Sequence, residues 1–251
     1  MSVPAIELIN VTAGYAGHPI QNDVSFRIEQ GEIVALLGGS GCGKSTMLKT
    51  IIGLLPVING DVRIAGESLV HCDQLKKREI LRKFGVAFQN GALFRSYTLA
   101  ENIALPLQEY TDYSEEEINK IVEEKLRIVG LEGAGNKMPG DLSGGMVKRV
   151  AFARAMALDP AILFFDEPSA GLDPVSSASL DSLILSIRKE TGATILVVTH
   201  ELASIFTIAD RVIMLGSNAG GILADGTPEE LKNSKNQFVW DFMNRHAPER
   251  S

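Results

Sequence analysis

The stretch EIVALLGGSGCGKSTMLKTIIGLL, from Glu32 to Leu55, limits the folds open to this chain more than any other. Ile33 to Leu37 form an unbroken apolar run, which suits a strand covered on both faces, as in a parallel sheet with helices on either side. Glycines at 38, 39, 41 and 43 then let the backbone turn sharply. KSTMLKTIIGLL reads as a helix that begins where the turn ends. Strand, glycine loop and helix in that order belong to an α/β core. A length of 251 residues with 45% apolar side chains is enough for one sizeable core.

The loop also satisfies G-x-x-x-x-G-K-[ST], with Gly38, Gly43, Lys44 and Ser45 at the fixed positions, and it has the strand–helix context the motif requires. Backbone amides of Gly38, Gly39, Ser40, Gly41, Cys42 and Gly43 can curl around phosphates, while Lys44 reaches the β/γ oxygens. Ser45 offers a hydroxyl to Mg²⁺, and Thr46 follows it into the helix. AILFFDEP, Ala161 to Pro168, supplies the complement: a buried strand whose end delivers Asp166 towards the metal, directly or through water. Glu167, one residue on, can act on a water aimed at the γ-phosphate. The two motifs together predict ATP hydrolysis as well as binding. Guanine specificity is excluded, because the nearest match to N-K-x-D is NKMP, with Pro139 where Asp belongs. HELAS at His200 is half of H-E-x-x-H, but Ser204 stands where the second zinc ligand would be.

Along the rest of the chain, residues 5–29 read as strands, with VSFRI alternating as a half-buried strand does. NGDVRIAG gives a turn and another short strand. Residues 98–158 change character and read as helices: TLAENIALPL, YSEEEINKIVEEKLRIVG with a capping box of Ser114 and Glu117, and GGMVKRVAFARAMAL. AILFFD is followed by a helix from Pro174 to Glu190, a strand TILVVTH, a helix ELASIFTIA, and a final strand pair, RVIMLG and GILADG. The expected architecture is α/β: a P-loop NTPase core with an antiparallel β subdomain and an inserted helical subdomain. The core covers about 1–89 and 159–230, the helical subdomain 90–158, and a C-terminal helical tail 231–251.

A net charge of −7 without a basic block argues against nucleic acid as a partner, and KKR at Lys76 to Arg78 reads as a solvated helix face. Cys42 and Cys72 have no paired spacing, which fits a reducing compartment better than a disulfide framework. MSVPAIELIN lacks the pattern of a signal peptide. The longest apolar runs are strand-length, well below the roughly 20 residues that span a bilayer. The expectation is a soluble chain whose membrane role, if any, comes through a partner.

A second phosphate-binding arrangement remains to be explained. In DLSGGMVKRV, Ser143, Gly144 and Gly145 place a hydroxyl and bare amides at a helix start. With GGSGCGKST, Gln89 in VAFQN, LSGGM, ILFFDE, SAGLD and VVTHE in this order, the chain resembles, over nearly its whole length, the nucleotide-binding subunit of an ABC transporter. The resemblance implies a head-to-tail pair with ATP held between the P-loop of one copy and the LSGG of the other. It further implies that Gln89 reaches Mg²⁺ and the attacking water, that His200 contacts the γ-phosphate, that Asp173 crosses the dimer, and that Tyr15 stacks on adenine. Ser143 capping its helix and Tyr15 packing in a strand are the plainer readings of those two residues.

Met146 stands where the family more often has glutamine, so a side-chain amide is lost there. LSGGM followed by a basic pair, together with FQNGALF at Phe88 to Phe94, is similar to the ATPases of Mce/Mla-type phospholipid transporters. That similarity implies a membrane-embedded permease, an Mce-domain lipid-binding protein and a small STAS-domain regulator as partners, with the chain peripheral on the cytoplasmic face of the inner membrane. NGALFRSYTLAENIALPL, Asn90 to Leu107, is the expected permease-facing segment, with packing inside the helical lobe as the alternative. The tail NQFVWDFMNRHAPERS carries the only tryptophan, Trp240, and is expected to pack on its own core, with binding to the other subunit as the second choice. A non-transport ABC ATPase that scaffolds iron–sulfur assembly shares every ATP motif and stays open. An SMC-like protein needs a coiled coil that the interval from Lys44 to Ser143 cannot hold, and a translation factor of the ABC-F kind needs two cassettes.

Overall fold

The computed structural model describes residues 3–217 and 220–246. The last five residues of the expected tail, 247–251, lie outside the described residues. Packing divides the chain into two compact units, Met1–Lys77 with Leu196–Ser251, and Arg78–Ile195.

The first unit opens with β1 (Ile6–Tyr15) and β2 (His18–Ile28), then β3 (Ile33–Gly38), α1 (Lys44–Ile51), β4 (Asn59–Ile64) and β5 (Glu67–Ser68). β2, β1, β4 and β5 form a four-stranded antiparallel sheet in that order. The register is set by apolar partners: Ile6 lies opposite Ile28 on one side and Ile64 on the other, and Leu8 opposite Phe26 and Val62. All six are buried, so a slip of one residue would turn this apolar face to solvent. β3 is buried along its whole length, as its unbroken apolar run requires.

The second unit holds α2 (Gln74–Leu81), which begins just before the boundary, and then β6 (Phe84–Ala87), α3 (Leu99–Tyr110), α4 (Glu115–Ile128), α5 (Gly144–Ala155), β7 (Ile162–Asp166) and α6 (Pro174–Thr191). β6 and β7 are parallel, Phe84 to Ala87 against Ile162 to Phe165. The helix starts are written in side chains. Thr98 with Glu101, and Ser114 with Glu117, close reciprocal capping boxes on α3 and α4. Phe152 of α5 stacks on Phe165 of β7 at 4.1 Å, and Phe84 meets Phe164 edge-on at 5.2 Å, which fixes the strand that ends at Asp166.

β8 (Thr194–Val198) returns the chain to the first unit, where α7 (Leu202–Ile208), β9 (Arg211–Leu215), β10 (Ile222–Gly226), α8 (Pro228–Lys232) and α9 (Gln237–Met243) complete it. β9 runs parallel to β3 and antiparallel to β10. Val239 and Met243 of α9 are buried in one cluster with Leu37, Ile205, Met214 and Leu231. The tail helix therefore packs on its own core, against the strand that leads into the glycine loop. Among the described residues, no helix is long and apolar enough to cross a membrane.

Candidate active site

In the first unit the glycine loop joins β3 to α1 with little room to spare. A Cβ on Gly38 would lie 2.4 Å from Cys42 Sγ and 2.8 Å from the Leu215 carbonyl. Gly43, the N-cap of α1, has a left-handed φ of 101°, and a Cβ there would lie 2.6 Å from Ile20. Only glycine fits either position. Lys44 Nζ donates to the carbonyls of Gly38 at 2.8 Å and Gly39 at 3.2 Å, so the ammonium is folded over the loop. No acidic residue occupies the first turn of α1, which leaves its positive dipole end for an anion. Ser45 is exposed, and Thr46 is buried behind it.

The loop is clasped from below by a residue with no motif signal. Gln21 is fully buried; its side-chain amide donates to the Cys42 carbonyl at 2.6 Å and to the Gly216 carbonyl, and its Oε1 accepts from Gly221 N at 3.0 Å. Tyr15 sits at the end of β1 opposite His18, with 44% of its surface exposed. His200 is exposed just past β8 and lines a cavity of about 290 Å³ with Glu201, Leu202, Phe242 and Arg245.

In the second unit β7 delivers Asp166 and Glu167, both partly buried. Glu167 adopts φ 47°, a left-handed conformation that costs a non-glycine residue on the order of 1–2 kcal/mol. Lys148 of α5, only 7% exposed, donates to the Glu167 carbonyl at 2.9 Å and also to the Gln89 carbonyl. Burial lowers the pKa of this lysine, and the charges of Asp166 and Glu167 oppose that shift. Arg154, further along α5, holds the Gly91 and Ala92 carbonyls at 2.8 and 2.7 Å. The Gln89 segment and the Asp166–Glu167 strand end are thus brought together on one helix. That helix starts at Ser143, whose Oγ accepts from Met146 N at 3.4 Å, with Gly144 and Gly145 in its first turn. Asp173 caps α6 by accepting from Val175 N and Ser176 N at 3.0 Å each. The Ser176 hydroxyl, more than any other contact, lowers its pKa, so it is held as a carboxylate.

The segment from Asn90 to Leu107 has two characters. Leu99, Ile103 and Leu107 are buried, while Phe94 is 56% and Tyr97 40% exposed. Fully buried Asn102 fixes the exposed part: it accepts from Phe94 N at 2.8 Å and donates to the carbonyls of Phe94, Tyr97 and Thr98. Two aromatic rings, 5.6 Å apart, are presented on a loop that is held in place by that amide.

Residues fit for a hard cation are present: a hydroxyl at Ser45, carboxylates at Asp166 and Glu167, and a side-chain amide oxygen at Gln89. Oxygen donors of this kind suit Mg²⁺ accompanied by phosphate. Gln21, Lys148 and Asn102 escape motif reading because their partners are backbone groups, which no spacing reveals.

Residues 21–170 match the ABC transporter family. "Probable ribonucleotide transport ATP-binding protein mkl" of Mycobacterium leprae is 44% identical over 240 residues, covering 96% of this chain and 69% of that protein. "Intermembrane phospholipid transport system ATP-binding protein MlaF" of Haemophilus influenzae is 36% identical over 243 residues, covering 97% and 91%. The ATP-binding cassette MJ0796, solved as a dimer in a post-hydrolysis state with ADP and Pi, superimposes with a TM-score of 0.79 at 33% identity, covering 88% of this chain and 98% of its own. Buried β3, its glycine loop and the carboxylate-tipped β7 are elements of the same fold. The chain belongs to the ATP-binding subunits of ABC transporters, and it is an ATPase.

Proposed function

We propose that this chain is the ATPase of an Mce/Mla-type phospholipid transporter, acting as a head-to-tail pair on the cytoplasmic face of the inner membrane. In this reading the loop amides of residues 38–43 and Lys44 grip the β- and γ-phosphates, and Tyr15 stacks on adenine. Ser45, Asp166 and Gln89 are the residues that would hold Mg²⁺, which offsets phosphate charge when bound. Glu167 accepts a proton from the attacking water as it adds in line to the γ-phosphorus. The bond from that phosphorus to the β–γ bridging oxygen breaks, so that ADP leaves and inorganic phosphate forms. Gln89 orients that water, and His200 contacts the γ-phosphate. Ser143, Gly144 and Gly145 receive the nucleotide of the partner copy, with Asp173 at the boundary between copies. Closure follows because a γ-phosphate gripped from both sides holds the copies together, and its loss releases them.

The single observation that carries the catalytic part is the strand end itself. Glu167 projects from buried β7 in a strained backbone conformation held by a buried cation, an arrangement typical of functional positions. The phospholipid part rests on the near-full-length match to MlaF and on LSGGM with FQNGALF, while the mycobacterial relative carries a ribonucleotide name. The permease part is supported by the exposed Phe94 and Tyr97 and by a cleft of about 150 Å³ lined by Leu81, Phe84, Pro106 and Tyr110, among others.

Purification of the chain from membranes tests this reading. An integral permease together with an Mce-domain protein, and a STAS-domain regulator where one exists, is the expected company. A permease without any Mce-domain protein contradicts the phospholipid assignment, and the absence of every membrane protein contradicts transport.

A further inference from the structure

The LSGGM motif is followed by two cations whose side chains have different destinations. Arg149 turns to the helices around it, donating to the Val129 carbonyl at 2.7 Å and to Ser179 Oγ at 2.8 Å. Lys148 turns inward and is buried, and both of its carbonyl partners belong to residues assigned to catalysis: Gln89 and Glu167. Those two residues are far apart in sequence and follow different strands, β6 and β7, yet one ammonium spans their main chains. Burying a cation is costly unless hydrogen bonds replace its water, so the lysine stays seated only while both carbonyls stay in place.

The constraint acts where the backbone most needs it. At φ 47° Glu167 would relax towards an ordinary conformation if its carbonyl were released, and its carboxylate would swing with it. Gln89 begins the segment whose next carbonyls, Gly91 and Ala92, are held by Arg154 from the same helix. Helix α5 therefore grips the segment at two places, and only the Lys148 grip includes the catalytic strand.

We propose that Lys148 is a positioning residue for ATP hydrolysis, fixing Gln89 and Glu167 relative to each other from within α5. Its ammonium is engaged by the main-chain carbonyls of these two residues, so its loss should slow the chemical step without weakening nucleotide capture. The proposal rests on the assignment of Glu167 as the group that activates water.

The test compares the wild-type chain with Lys148→Met, Lys148→Arg and Glu167→Gln, measuring kcat and KM for ATP and the melting temperature of each. Misplacement on the ångström scale costs about 10²-fold in rate, so Lys148→Met is expected to lose about that factor in kcat. Its KM should stay within about twofold of wild type, because uniform binding is untouched. Lys148→Arg, which keeps two donors and the charge, is expected to recover most of the rate. A wild-type kcat in Lys148→Met, a change in KM alone, or an arginine variant as slow as the methionine one at equal melting temperature would each overturn the proposal. Should Lys148→Met fail to fold, Lys148→Gln, with two donors on a shorter stem, takes its place, with the same fall in kcat expected and an unchanged kcat overturning. Inactive Glu167→Gln beside fully active Lys148→Met defeats the lysine proposal alone. Normal turnover by Glu167→Gln defeats the reading on which it rests.

Discussion

Gln21 and Cys42 are joined by a hydrogen bond of 2.6 Å from a buried side-chain amide to a carbonyl of the glycine loop. The same amide also reaches the Gly216 carbonyl and Gly221 N, so one side chain ties β2, the loop and the turn after β9. Gln21→Met keeps the volume and removes every partner. The unfolding free energy is expected to fall by about 3 kcal/mol, since at least two buried backbone groups lose their partners. The KM for ATP should rise as the loop loosens. Chemical denaturation and initial rates check both, and an unchanged stability would show that the clasp holds nothing.

Asn102 ties the backbone of the loop at Phe94, whose ring meets Tyr97 and is 56% exposed. A charge there, Phe94→Asp, leaves Asn102 and its four hydrogen bonds intact, because they go to backbone groups. Transport by the assembled system is expected to be lost while the isolated chain hydrolyses ATP at its ordinary rate. Parallel loss of both would place Phe94 in the lobe's own stability and contradict a permease-facing role.

Acid should loosen the helical lobe in a defined window. The pKa of Glu117 is lowered from its usual 4.5, first by the Ser114 hydroxyl and then by the Ser114 backbone amide. A carboxylate with a lowered folded pKa contributes stability above its unfolded pKa and loses it as pH falls through the folded value. The contribution is therefore complete at neutral pH and disappears below about 4.5. Glu117→Gln is expected to melt lower than wild type at pH 7, with the gap closing as the pH drops below that value. A gap that is constant with pH would mean that the ionised carboxylate is not what closes the cap.

Much of the fold, and the glycine loop of the candidate site, was legible because the signals are local. The apolar run of β3, the glycines after it and the capping box of Ser114 and Glu117 each act within a few residues. The legible part ends where distance begins. Gln21 finds its partners 21 and some 200 positions away, and Lys148 reads in sequence only as half of a basic pair. Local signals also overran: the helix expected to continue to Leu55 stops at Ile51, where the amides of Leu54 and Leu55 turn back to the Lys49 carbonyl. β6 and α8, at four and five residues, are too short for periodicity to mark. Asp173 was legible as an acidic loop residue, but not as the cap of α6, because the geometry of its own turn decides that.

In the proposed function each copy completes the nucleotide site of the other, and Gly145 stands in the helix start that would meet the partner's nucleotide. A Cβ on Gly145 meets nothing within 4 Å in its own chain. An aspartate there, in the first turn of α5, should stabilise that helix by about 0.3–1 kcal/mol through the dipole. The same charge repels a γ-phosphate arriving from a partner. The decisive measurement is the solution mass of Glu167→Gln, with and without Gly145→Asp, in saturating ATP and Mg²⁺. Glu167→Gln is predicted to form a dimer, and the double variant to remain a monomer that still binds ATP at its P-loop. A double variant that dimerises as readily as Glu167→Gln would contradict the shared site.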